Sequence, residues 1–310
     1  MCTSIAYHGE SFCFGRNMDL EYSFGERVIG CGRRFPFTFR YADEMNDHRA
    51  FLGVGTVIDG YPMYADAMNE DGLCVAGLNF PNYAHFPRES TSRLKLAPYE
   101  LIPYLLGKCE SVDDVRGVLS DAGIVDIPFS DDVPNATLHW HIADRSSSVT
   151  LESTKQGLKI YDNTVNVLTN SPSFDFQLEH FLAYSNLSST SDGERHSLGY
   201  GAIGLPGDLS SMSRFVRAAF LLGCSPEKLS GERACDQLLS LLYAVAMTDG
   251  AVIDKDGKPH RTTYTSCMLG DFGKIIIKRA GFVTPLSFSF DDFNIEGRQA
   301  FIRNFDKTVN

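Results

Sequence analysis

Positive charge is scarce in this chain. It carries 28 Lys and Arg against 39 Asp and Glu, a formal net charge of −11 over 310 residues. That balance argues against a nucleic-acid partner and against an anionic membrane surface, but not against an anionic small substrate, because a pocket's local field can oppose the net charge. Long apolar runs are missing as well. The most apolar stretch, Leu238 to Met247, is broken by Ser240, and it reads as a buried helix, too short for a membrane span. The opening MCTSIAYHGESFCFGR has no basic start followed by an apolar core, so no secretory signal is expected. Cys2, Cys13, Cys31, Cys74, Cys109, Cys224, Cys235 and Cys267 form no CxxC pair or metal-type cluster; they are expected to be reduced thiols of a cytoplasmic protein. Without secretion, the sequons at Asn135-Ala136-Thr137 and Asn186-Leu187-Ser188 are chance matches.

Two familiar motifs are absent or incomplete. No HExxH occurs, and His139 and His141, alternating along one strand, read as half-exposed strand residues rather than metal ligands. Gly199-Tyr200-Gly201-Ala202-Ile203-Gly204 fits the dinucleotide-binding pattern. That mechanism needs a strand before and a helix N-terminus directly after, whereas here a polar run precedes and Leu205-Pro206-Gly207 interrupts. It reads as a loop, and no cofactor is expected.

What is present begins at Cys2. Once Met1 is trimmed, thiol and α-amine belong to one residue, with reference pKa values of about 8.5 and 7.7–8.0. Nucleophile and base then share a terminus, as in N-terminal Thr enzymes. No histidine is paired with a nucleophile, so a thiol partner must come from elsewhere. Arg16 and Asp19, in Gly15-Arg16-Asn17-Met18-Asp19, return beside the chain start if residues 3–7 and 11–14 form a hairpin. A guanidinium favours the thiolate, and a carboxylate orients the amine. Asn79 and Asn170 end apolar strand-like runs; each reads as a turn residue or as an amide donor to an oxyanion. Arg214 opens a mostly apolar helix, on its surface or turned toward a pocket.

The organisation reads as α+β. Strands are expected at 3–7, 11–14, 51–58, 64–68 and 73–78, the last two joined by the turn Asn69-Glu70-Asp71-Gly72. Helices follow at 98–106, opened by Pro98, and at 115–119 behind a capping box at Ser111 to Asp114. A meander at 137–142, 148–152, 158–161 and 166–169 precedes helices at 174–184, 211–222 and 232–248, and strands at 262–269 and 274–278 close the pattern. Sheets covered by helices in one domain, 1–310, are the expectation, with 187–207 an extended excursion or subunit arm.

Several segments together carry a resemblance: MCTS, FGRNMDLEYSFGE, NEDGLCVAGLNFPNY, NATLHWHIAD, VLTNSPSFDFQL, YGAIGLPGDLSSMSRFVRAAF and TTYTSCM. In these the chain resembles the choloylglycine hydrolases, N-terminal-nucleophile amidases comprising bile salt hydrolases and penicillin V acylases. The resemblance implies a four-layer αββα sandwich of two antiparallel sheets between helices, removal of Met1, and no cofactor or metal. It puts the nucleophile on Cys2, its supporting arginine on Arg16, the amine contact on Asp19, the oxyanion positions on Asn79 and Asn170, and a second arginine on Arg214. It further implies conjugated bile salts as substrates, with Asn79 pointing to the bile-salt branch and Met18, Phe24, Tyr61 and Pro62 as pocket walls or core. A homotetramer through an extension at 187–208 is also implied, with a dimer as the alternative. Penicillin V or another N-acyl amide is the alternative substrate, and a non-catalytic, ligand-binding oligomer that retains Met1 is the alternative of another class.

Overall fold

The computed structural model describes residues 1–190 and 201–305. In chain order its strands are β1 (Cys2–His8), β2 (Phe12–Leu20), β3 (Arg27–Cys31), β4 (Phe51–Ile58), β5 (Tyr61–Asn69) and β6 (Cys74–Asn79). Then come β7 (Leu94–Leu96), β8 (Ala122–Ile124), β9 (Leu138–Ala143), β10 (Ser148–Thr154), β11 (Gly157–Asp162) and β12 (Val167–Leu168). The last are β13 (Val252–Ile253), β14 (Pro259–Leu269), β15 (Lys274–Arg279), β16 (Leu286–Ser289) and β17 (Phe301–Asn304). The α-helices are α1 (Leu101–Lys108), α2 (Val112–Leu119), α3 (Phe174–Leu182), α4 (Ser211–Gly223) and α5 (Gly231–Tyr243).

Two large antiparallel sheets result. One runs β12-β1-β2-β14-β15-β16, with β13 beside β14; the other runs β11-β10-β9-β6-β5-β4-β3-β17. Helices α4 and α5 pack on β1, β2, β12 and β14, and α1 packs on β5 and β6. The layers are therefore αββα. One core fills the space between the sheets and under α4 and α5, and a second lies between the outer sheet face and α1 and α2. Gly15 permits the approach of α5: a Cβ there would meet the Ser266 carbonyl at 2.5 Å and the Leu242 side chain at 2.9 Å. Burial of Leu238 and Leu242 then contributes about 1.5–3 kcal/mol each. The Ser111–Asp114 capping box forms as expected, Ser111 Oγ accepting from Asp114 N and Asp114 Oδ2 from Ser111 N.

Four expectations need correction. The second strand runs to Leu20, so Arg16 and Asp19 lie within it rather than after it; β1 and β14 pair with both of its edges, and burial of polar side chains hides the strand signal. Residues 166–169 do not join the meander, because Val167 and Leu168 cross to the other sheet and pair with β1. The apolar run 238–247 is helical only to Tyr243. Strands β3, β7, β8, β13, β16 and β17 were not anticipated; β7 and β8 form a separate two-stranded sheet, the others sit at or near sheet edges, and their short segments carry weak alternation. Residues 191–200, including Gly199 of the glycine motif and part of the 187–208 excursion, lie outside the described residues.

Candidate active site

Strand alternation sorts the residues of β2 to two faces. Arg16 and Met18 point between the sheets, while Asn17 and Asp19 point toward the helices, Asn17 Nδ2 donating to the Leu242 carbonyl of α5 at 2.7 Å. In the β1–β2 ladder Cys2 stands opposite Met18. Its thiol therefore falls beside Arg16, whose Nη2 donates to Cys2 Sγ at 2.7 Å. Arg16 is fully buried. Its Nη1 donates to the Ala65 and Gly77 carbonyls of the opposite sheet, 3.1 and 2.9 Å away, and lies 3.8 Å from Asp66 Oδ1. A buried guanidinium is costly unless paired. Burial opposes its charge, but Cys2, Tyr264, Asp66 and Asp19 outweigh that and hold its pKa above the ordinary arginine value.

Asp19 is also fully buried. Its Oδ1 accepts from Thr262 Oγ1 at 2.6 Å, and Oδ2 has no hydrogen-bond partner, standing 3.8 Å from Arg214 Nη1. An irregularity in the β2–β14 pairing between Thr262 and Tyr264 lets both residues work. Thr262 reaches Asp19, while Tyr264 and Ser266 donate to the two oxygens of Asp66 at 2.5 and 2.7 Å. Burial raises the Asp66 pKa, against the lowering pull of Arg16 and of those two hydroxyls.

Met1 precedes Cys2, its ammonium donating to the Asp19 carbonyl and its own carbonyl accepting from Asp19 N at 2.8 Å. The Cys2 backbone N–H donates to Asn170 Oδ1 at 2.8 Å. Arg214, buried near the start of α4, donates from Nη1 to the Cys2 carbonyl at 2.6 Å and to Thr3 Oγ1 at 2.5 Å, and from Nη2 to Asn170 Oδ1 at 2.7 Å. Burial lowers its pKa, with Asp19 and Cys2 acting in the opposite sense. Asn170 Nδ2 donates to the Asn79 carbonyl at 2.6 Å, and Asn79 Oδ1 accepts from Thr137 Oγ1 at 2.9 Å. Asn170 thus turns its oxygen to the chain start and its nitrogen to Asn79.

Cys2, Arg16, Met18, Phe24 and Asn79 line one cavity of about 560 Å³. Leu20, Ile58, Met63, Tyr99, Ile102, Phe129 and Leu138 make most of the rest of its wall apolar. Six sequence-derived candidates, Cys2, Arg16, Asp19, Asn79, Asn170 and Arg214, therefore form one connected cluster. Met18 and Phe24 are walls. Tyr61 and Pro62 are not; the Tyr61 ring packs edge-on against Phe37 and Tyr99 behind the lining. An aromatic beside a turn looks the same in sequence whether it faces a cavity or backs its wall.

Several residues of the cluster escaped the sequence reading. Asp66, Tyr264 and Ser266 hold Arg16 from below. Ser211 Oγ accepts from Asn170 N at 2.9 Å, and Gln177 Nε2 donates to the Asn170 and Pro172 carbonyls. All are common polar residues in amphipathic segments, with no local signal to mark them. His139 and His141 are fully buried, not half-exposed. His141 bridges Ser4 Oγ and Ser148 Oγ, 2.7 Å from each, and burial lowers its pKa to about 3, His8 and His139 adding to the effect. Away from the cavity, His260 lies between Glu21 and Asp254, one ring nitrogen toward each at 3.7 and 3.4 Å.

Known proteins are similar to this chain in sequence and fold. A family model described as linear amide C–N hydrolases, choloylglycine hydrolase family, matches residues 2–276. The bile salt hydrolase/transferase of Lactiplantibacillus plantarum is 42% identical over 282 residues, covering 88% of this chain and 87% of that protein. The bile salt hydrolase/transferase of Clostridium perfringens is 38% identical, covering 86% of each. The crystal structure of a C2A mutant of conjugated bile acid hydrolase from Clostridium perfringens superposes with a TM-score of 0.91 at 33% identity, covering all of both chains. Penicillin V acylase from Agrobacterium tumefaciens shares the fold, with a TM-score of 0.80 at 20% identity over 98% of this chain and 91% of that one. On the family match and these identities, the chain belongs to the choloylglycine hydrolase family of linear amide C–N hydrolases.

Proposed function

We propose that this chain, after loss of Met1, hydrolyses the amide bond of glycine- or taurine-conjugated bile salts through a thioester on Cys2. The observation that carries this is a buried thiol 2.7 Å from an arginine in a largely apolar cavity. A steroid acid conjugate has the matching form, a rigid apolar body ending in an amide. Its relatives' names supply the substrate class.

The Cys2 thiolate, favoured by Arg16, attacks the amide carbon and forms a C–S bond. The carbonyl oxygen takes the negative charge, and Asn79, whose side chain lines the cavity and whose amide nitrogen is uncommitted, donates to it, with the remaining N–H of Asn170 as second donor. Trimming Met1 turns the Cys2 nitrogen into an amine. Asn170 Oδ1 and the open Asp19 Oδ2 suit its ammonium form. That ammonium passes a proton to the leaving glycine or taurine nitrogen as the C–N bond breaks. The amine then takes a proton from water, whose oxygen attacks the thioester, releasing the bile acid and restoring the thiolate.

The proposal extends to a cytoplasmic homotetramer. All eight cysteines are free, as suits a reducing compartment, and Ile203, in the 187–208 segment, is 73% exposed. No helix among the described residues is long and apolar enough to cross a membrane. The test is a parallel assay with glycocholate, taurocholate and penicillin V, with intact mass measured on the same sample. Faster turnover of the two bile salts by a chain lacking one methionine is expected. Preference for penicillin V overturns the substrate assignment, and turnover by a chain that keeps Met1 overturns the mechanism.

A further inference from the structure

Beneath the two asparagines lies a buried pair that the mechanism above does not use. His139 of β9 and Glu152 of β10 are fully buried, His139 Nδ1 standing 3.1 Å from Glu152 Oε1. The other ring nitrogen, Nε2, lies 3.0 Å from the Thr169 carbonyl. A carbonyl only accepts, so Nε2 carries a hydrogen, and a second proton has to lie between Nδ1 and the carboxyl group for that contact to attract.

Both ends of this pair reach the cluster. On one side, the His139 ring stacks on Phe80 with centroids 4.1 Å apart and planes 6° from parallel. Phe80 directly follows Asn79, and its N–H donates to the Thr137 carbonyl at 2.7 Å. On the other side, the Thr169 carbonyl belongs to the peptide bond that enters Asn170. Glu152 Oε1 also accepts from Phe174 N at 2.9 Å, fixing the first residue of α3. From α3, Gln177 reaches back to the Asn170 carbonyl and accepts from Thr169 Oγ1 at 2.6 Å. The segment 169–174 is thus held at Thr169 by the histidine and at Phe174 by the glutamate, with Asn170 between.

We propose that His139 and Glu152 are positioning residues for amide cleavage, holding Asn79 and Asn170 at the separation their work on the oxyanion and the amine requires. Neither touches the cavity. They act through Phe80, Thr169 and Phe174. The inference rests on the hydrolase reading above, since it assigns the pair a part in that reaction.

The reaction offers a readout that separates positioning from general folding. Alkylation of Cys2 by iodoacetamide needs the thiolate but no oxyanion donors, whereas amide hydrolysis needs both. His139→Phe keeps the stack on Phe80 and removes both hydrogen bonds. His139→Gln restores a donor where Nε2 stands. With glycocholate as substrate and kcat normalised to the folded fraction, His139→Phe is expected to lower kcat about 10–100-fold, with KM within about threefold. Cys2 alkylation, located by mass spectrometry, is expected to keep its rate. His139→Gln is expected to recover most of the lost kcat. A parallel fall of alkylation and hydrolysis overturns the inference, as does an unchanged kcat in His139→Phe. Should His139→Phe fail to fold, Glu152→Gln carries the test, since one amide group cannot serve both His139 Nδ1 and Phe174 N as the carboxyl group does: kcat lowered at constant alkylation supports the inference, and kcat equal to that of the unsubstituted chain overturns it. Failure of the hydrolase reading looks different, because the unsubstituted chain would then not turn glycocholate over at all.

Discussion

At the closed end of the cavity, Arg16 is fixed by two backbone carbonyls, the Asp66 carboxylate and the Cys2 sulfur, whereas along the walls Phe24, Ile58, Met63 and Phe129 present apolar side chains from separate segments. Directional bonds hold a group to within tenths of an ångström; apolar contact rewards area and tolerates adjustment. On the proposed mechanism the closed end serves the bond to be broken, and the walls serve the body of the molecule that carries it. Substitutions at the two ends should separate accordingly, the first in kcat and the second in KM.

The largest effect is expected for Cys2→Ala. It should reduce hydrolysis of every substrate by at least about 10⁴-fold while thermal unfolding stays close to that of the unsubstituted chain, because a buried methyl replaces a buried thiol. Residual turnover above a no-enzyme control would remove Cys2 as the nucleophile. A smaller effect belongs to His141, which supports the closed end from behind through Ser4. Its folded pKa of about 3 lies below the unfolded value of about 6.5, so the unfolded chain binds the proton more readily. Its contribution to stability is full above about pH 6.5 and is lost as pH falls toward 3, at up to about 1.4 kcal/mol per unit. Denaturant unfolding of His141→Gln at a series of pH values should show that much less slope; identical slopes would refute the assignment.

Phe24→Ala should remove about 1–2 kcal/mol of apolar contact with substrate, raising KM roughly five- to thirtyfold with kcat nearly constant. A fall confined to kcat would place Phe24 with the closed end instead. The smallest effect is expected for Tyr61→Phe. The Tyr61 hydroxyl is buried without a hydrogen-bond partner, so its removal should leave stability within about 0.5 kcal/mol and KM unchanged. A rise in KM would return Tyr61 to the wall.

The same contrast explains what could be read from the chain alone. The cluster at Cys2, Arg16, Asp19, Asn79, Asn170 and Arg214 was legible through the family resemblance; local setting alone left Asn79 and Asn170 as turn residues or amide donors, and Arg214 on a helix surface or turned toward a pocket. Turn chemistry at Asn69–Gly72 and the capping box at Ser111 were legible from local pattern, since both act over four residues. The supports were not. Asp66, Gln177, Glu152 and His139 matter through partners at sequence separations of 5 to 200 residues, and local pattern does not show which buried polar residue will find a partner. Arg16 itself illustrates the limit. Its polarity suggested the end of a strand, yet the strand runs through it because the opposite sheet supplies the missing acceptors.

That last arrangement has a mechanical consequence. Arg16 is rooted in one sheet and hydrogen-bonded to the Ala65 and Gly77 carbonyls of the other. Any sliding of the two layers past each other would draw the Arg16 donor away from the sulfur before either layer came apart. The fold's alignment is thereby written into the reactivity of a single atom, and warming should silence the thiol ahead of melting.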